Sequence, residues 1–155
     1  MSTEEEYLAN LKATLKLNNI SIGNNKICIG VLNSTIRLDE LLATEYLVKS
    51  GVVPTPGHLM RGVETEDLEL LRILLSGSKK KINLHAPPNI AKKRTVLHHL
   101  VGWNMDKKTK LKIIRMLTQA GANWRTKDSG GETPKEILRR EDPGCFLELE
   151  KEILD

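Results

Sequence analysis

Aromatic side chains are nearly missing from this chain of 155 residues: two Trp, two Tyr and one Phe. Its core must therefore be aliphatic, and Leu and Ile runs dominate. Such a core suits thin helical layers, each needing modest and regular filling. Cysteine is as scarce. Cys28 and Cys145 stand far apart, and neither belongs to a Cys-x-x-Cys pair. That argues against a disulfide framework or a zinc ribbon and reads as two reduced thiols. No apolar run approaches the length of a bilayer span. The chain opens Met1-Ser2-Thr3-Glu4-Glu5-Glu6, the opposite of the basic start of a secretory leader. The expected setting is cytoplasmic or nuclear, and the Asn-x-Ser/Thr matches at Asn19 and Asn33 read as chance. Phosphate-loop, dinucleotide and nucleophile-elbow patterns are absent. The carboxylates Glu148, Glu150 and Glu152 read as a solvated face and not as an acid–base pair. The expectation is a protein with no enzymatic activity, no cofactor and no metal.

What the chain does have is charge, unevenly placed. The formal net charge is +4. Residues 1–76 carry 7 basic and 10 acidic side chains, residues 77–127 carry 13 and 1, and residues 128–155 carry 4 and 9. A basic middle between two acidic ends points to a surface complementary to anions.

Hydrophobic periodicity predicts helices. Tyr7, Leu8, Leu11 and Leu15 share one face of a helix over residues 4–17, with Glu4 to Glu6 at the end that favours acids. Residues 20–29 read equally as a short hairpin around Gly23-Asn24-Asn25 or, with Ile27 to Leu32, as the first helix of a degenerate repeat. From Leu38-Asp39-Glu40 onward the pattern is plainer. Helical runs end just before Gly51, Gly77 and Gly121, where a left-handed cap belongs.

Three segments align: Thr55-Pro56-Gly57-His58-Leu59-Met60, Thr95-Val96-Leu97-His98-His99-Leu100 and Thr133-Pro134-Lys135-Glu136-Ile137-Leu138. Thr at the start caps a helix, and Pro after it sits where its missing N–H costs nothing. Leu68 to Leu75 and Gly121-Ala122-Asn123-Trp124-Arg125-Thr126 supply the second helix and the turn of such a unit. Together these residues resemble the ankyrin repeat, whose signature is Thr-Pro-Leu-His-x-Ala. The match is divergent. Thr55 to Thr95 spans 40 residues and Thr95 to Thr133 spans 38, against about 33 in the family. The resemblance implies one all-α domain over residues 1–155, a helical repeat solenoid with finger loops. Residues 1–37 would form an N-terminal helix and a degenerate first repeat or cap, and residues 38–155 the repeats and a C-terminal cap. It also implies that His98, like His58, bonds between layers instead of holding a metal.

Repeat stacks work by docking partners on extended surfaces. The expected function is therefore a protein–protein interaction module, an adaptor, inhibitor or regulatory subunit, with an acidic partner protein. The residues expected to meet it are Lys79, Lys80, Lys81, Lys92, Lys93 and Arg94, which bracket one long loop, with Trp124, Arg125 and Lys127. The competing reading is nucleic-acid binding through the same basic segment, although aromatic interleaving is poor and no nucleic-acid motif appears. A membrane partner is not expected. The same reading covers a chain of viral or bacterial origin acting inside a host cell.

Overall fold

The computed structural model describes residues 3–23, 25–76, 82–89 and 91–152. Nine α-helices lie among them: α1 (Thr3–Leu17), α2 (Lys26–Arg37), α3 (Leu41–Lys49), α4 (Pro56–Glu64), α5 (Leu68–Ser76), α6 (Val96–Gly102), α7 (Lys107–Gln119), α8 (Pro134–Glu141) and α9 (Pro143–Leu149). No strand occurs among the described residues, so the fold is all-α. The hairpin reading of residues 20–29 is corrected. Asn25 has extended backbone, and its side chain accepts the Cys28 N–H at 2.9 Å, which starts α2 at Lys26. Cys28, Leu32 and Ile36, four residues apart, are all buried on one face. Leu38 closes α2 instead of opening the next helix. Asp39, with φ 58°, turns the chain, and α3 begins at Leu41.

Local chemistry repeats along the chain. Thr55, Thr95 and Thr133 each take extended backbone and accept the N–H three residues on. The side chains of His58, His98 and Glu136 reach back to the cap residue's own N–H. Each is a reciprocal cap that satisfies two orphan donors. The helices α1, α3 and α7 also end alike, as do α2 at Asp39 and α4 at Glu66. A left-handed residue follows each of the first three, Asn19, Gly51 and Gly121. The next N–H, of Ile20, Val52 or Ala122, returns to the carbonyl of Leu15, Leu47 or Leu117 at 2.9, 3.1 and 3.0 Å. This closure needs φ above zero, which Gly adopts freely and Asn tolerates.

Packing sorts the helices into two rows. In one, α1 packs on α3, α3 on α5 and α5 on α7. In the other, α4 packs on α6 and α6 on α8, while the hydrogen bond from His58 to Asn33 ties α4 to α2. Consecutive helices α2 and α3, α4 and α5, α6 and α7, and α8 and α9 pair across the rows. The core between them is aliphatic. Leu47, Leu71, Leu74 and Ile113 from one row meet Leu32, Leu59, Leu97 and Leu100 from the other, all with less than 2% exposure. Fully burying side chains of this size contributes roughly 1.5–3 kcal/mol each. No helix among the described residues is long and apolar enough to cross a membrane.

Candidate functional site

The basic segment that dominates the sequence divides into parts with different surroundings. On α7, three cations face acids in and beside the C-terminal helix. Lys107 pairs with Glu148 at 2.7 Å, Lys110 with Asp142 at 3.0 Å, and Arg115 with Glu152 at 3.2 Å. Lys110 is buried, and Asp142 also starts α9 by accepting the Cys145 N–H. Burial would raise the Asp142 carboxyl, but the Lys110 ammonium and the Cys145 N–H hold it below its ordinary value. Burial and the neighbouring Asp142 push the Cys145 thiol up to about 11, so it stays protonated and unreactive. The acids of residues 128–155 thus neutralise one flank of the basic middle from outside its sequence.

The loops before α6 and α8 lie side by side. Ser129 donates its N–H to the Lys92 carbonyl at 2.9 Å. Arg94 reaches from the first loop to Asp128 of the second at 3.1 Å, with Glu132 at 3.7 Å. Asp128 is the knot of this contact. Its Oδ1 accepts the N–H of Gly130 at 3.0 Å and of Glu132 at 2.9 Å, closing the second loop. Burial would raise this carboxyl, but the two N–H groups and Arg94 keep it low and ionised. Arg140 pairs with Glu132 in turn. Lys92, Arg94, Asp128, Ser129, Glu132 and Glu136 therefore line one open cleft between the loops.

The residues expected to meet a partner fall into four groups. Lys92, Lys93, Arg125 and Lys127 are exposed and form no ion pair among the described residues. Arg94 is half-buried and engaged by Asp128 and Glu132 within the chain. Trp124 is buried with 8% exposure and belongs to the core. Its indole N–H finds no acceptor among the described residues. Lys79, Lys80 and Lys81 lie outside the described residues. Trp103, at the end of α6, is 37% exposed.

The two loops carry corresponding Asn turns. The Asn83 side chain accepts the His85 N–H at 3.1 Å, and the Asn123 side chain accepts the Arg125 N–H at 2.8 Å. Leu84 and Trp124 follow these Asn residues and are both buried. In this register Gly77 precedes its Asn by six positions and Gly121 by two. The sequence reading left these Asn turns unfixed. It also missed Asp128 and Glu132 as internal counterions. The acid-rich composition of residues 128–155 was the available signal.

Among the described residues, no group of three or more His, Cys, Asp or Glu side chains is placed to hold a metal ion. What the arrangement offers is display: four cations with no ion pair among the described residues, on two loops that are hydrogen-bonded to each other and rooted in capped helices. Comparison with protein-family models and with curated proteins found no match to this chain.

Proposed function

We propose that this chain is a divergent ankyrin-like repeat solenoid that docks an acidic partner protein, without catalysis of its own and in a cytoplasmic or nuclear setting. The two rows of helices, the three Thr caps of common geometry and the left-handed closure shared by five helix ends support the repeat reading. The observation that carries the docking surface is the bond from Ser129 to Lys92. It holds Lys92 and Lys93 of one loop beside the loop of Arg125 and Lys127, so that cations distant in sequence belong to one rim. Loops on a rigid scaffold are the usual carriers of recognition, and unpaired rim charges speed encounter with a partner of opposite sign.

The test is affinity capture from nuclease-treated extract with quantitative mass spectrometry. The wild type is compared with a variant carrying Lys92→Glu, Lys93→Glu, Arg125→Glu and Lys127→Glu. A captured acidic protein should associate more slowly with the variant at low salt, and the difference should shrink as salt rises. Equal association rates at low salt would remove the loops from the site. A short DNA duplex serves as the control. Affinity for it that falls steeply with salt, with no protein captured, would replace the proposal with nucleic-acid binding.

A further inference from the structure

We propose that the histidine caps of α4 and α6 make an acid-sensitive seam, which loosens while the Glu136 cap of α8 stays closed. The three caps share one geometry and differ in one group. The Thr55 N–H donates to His58 Nδ1 at 2.9 Å, and the Thr95 N–H donates to His98 Nδ1 at 3.0 Å. These bonds require Nδ1 without a proton, so the neutral ring carries its hydrogen on Nε2. Each Nε2 then crosses to another layer. That of His58 meets the Asn33 side-chain oxygen on α2, and that of His98 meets the Glu132 carbonyl at 3.0 Å. Each histidine therefore closes its own helix cap and ties two layers together.

A second ring proton turns Nδ1 into a donor facing a donor. The Thr95 hydroxyl, 2.8 Å from His98 Nδ1, can accept the new hydrogen, but the backbone N–H of the cap is left without its partner, a cost that falls on a buried group. In α8 the Thr133 N–H donates to Glu136 Oε2 at 3.1 Å. A carboxylate meets the cap N–H with acceptor oxygens and has no imidazole nitrogen to gain a proton. One architecture thus holds two caps that fail in mild acid and one that does not.

The surroundings support this order. His58 and His98 are 6% and 0% exposed, so their charged forms lose hydration. Burial lowers His58, which is faced by neutral groups, Thr55 on its own cap and Asn33 on α2. Burial also lowers His98, and Arg94 adds to it, against the Glu132 and Thr126 carbonyls and the Asp128 carboxylate. The neighbouring His99 is lowered by burial, Arg94 and His98, with Glu64 opposing. All three fold with values below the ordinary 6.5. The unfolded chain therefore takes up protons first. The stabilisation is complete above pH 6.5 and is lost as the pH falls through the folded values. Thr95 follows Lys93 and Arg94 directly, so the affected cap is also the root of the basic loop.

The test compares the wild type with a His58→Gln, His98→Gln variant. Glutamine keeps an acceptor in reach of the cap but does not titrate. Both imidazoles, followed by NMR, should titrate with midpoints below 6.5. The wild-type Tm should fall between about pH 7.5 and about pH 5.5, a window that histidine spans, and most of that fall should vanish in the variant. Amide exchange in the first turns of α4 and α6 should quicken over the same range, with the first turn of α8 unchanged relative to them. Midpoints at or above 6.5, or a first turn of α8 that opens together with the other two, would overturn the proposal, as would equal losses of Tm. Should the variant fail to fold, the wild-type titration and exchange decide alone.

Discussion

Lys110 and Asp142 meet at 3.0 Å across the seam between α7 and α9, the ammonium 4% exposed and the carboxylate 30%. The two members of this pair are not equivalent. Removing Asp142 strands a charge that water cannot reach and also uncaps α9. Asp142→Ala should cost about 3–5 kcal/mol of stability, as for other broken buried pairs. Lys110→Met removes the buried charge itself, keeps most of the volume and leaves Asp142 to its Cys145 cap. It should cost about 1 kcal/mol or less. Urea unfolding of both variants checks the asymmetry, and equal losses would refute it.

Gly62 lies inside α4, where helix propensity alone favours alanine by about 1 kcal/mol. Packing reverses that expectation. A Cβ on Gly62 would sit 2.7 Å from Leu71 Cδ2 and 2.8 Å from Leu71 Cγ, and Leu71 is fully buried with nowhere to move. Gly62→Ala should destabilise by about 1–3 kcal/mol, the usual range for overpacking. In a Leu71→Ala background the same change should cost much less or turn favourable. A double-mutant cycle by thermal unfolding measures this coupling.

The turns between α2 and α3 and between α4 and α5 place Asp39 and Glu66 at φ 58° and 55°, each bonded through its N–H to the carbonyl three residues back. Left-handed backbone costs a side-chain-bearing residue about 1–2 kcal/mol, partly offset by the extra freedom glycine loses on folding. Glu66→Gly should therefore stabilise the protein by up to about 1 kcal/mol. Gly121→Ala, at φ 106°, should lose about 1 kcal/mol or more. The signs of the two Tm shifts should be opposite.

Leu74 is fully buried and Leu70 nearly so, on the helix α5 that packs between α3 and α7. Truncating either to alanine should cost roughly 2–5 kcal/mol. Denaturant midpoints that match the wild type would contradict this placement.

Much of this architecture was legible in the sequence, because its signals are local. Thr at three aligned positions caps three helices, and the Gly after α3 and after α7 does turn left-handed. Helix α2 was ambiguous because Ile20, Ile22, Ile27 and Ile29 satisfy a strand period as well as a helical one. Asn25 as a cap decides between them, and an Asn beside Gly23 reads equally as a turn. The left-handed stops at Asp39 and Glu66 were invisible because no glycine marks them. The candidate surface was less legible. Its cations could be counted, but their counterions come from other layers. Nothing local to Arg94 or Lys110 announces Asp128 or Asp142.

Helix α1 ends one row of the stack. It packs on α3, and of its fifteen described residues only Leu15 is buried, whereas α7 buries five. A chain whose layers hold chiefly their neighbours opens from its weakest end, as a zip runs from its loose tab. Local opening should therefore begin at α1 and travel inward, and amide exchange should be fastest there and slowest around α5 and α7. Mechanical order in this molecule is graded along its length, and the basic loops are rooted toward the firm side of that gradient.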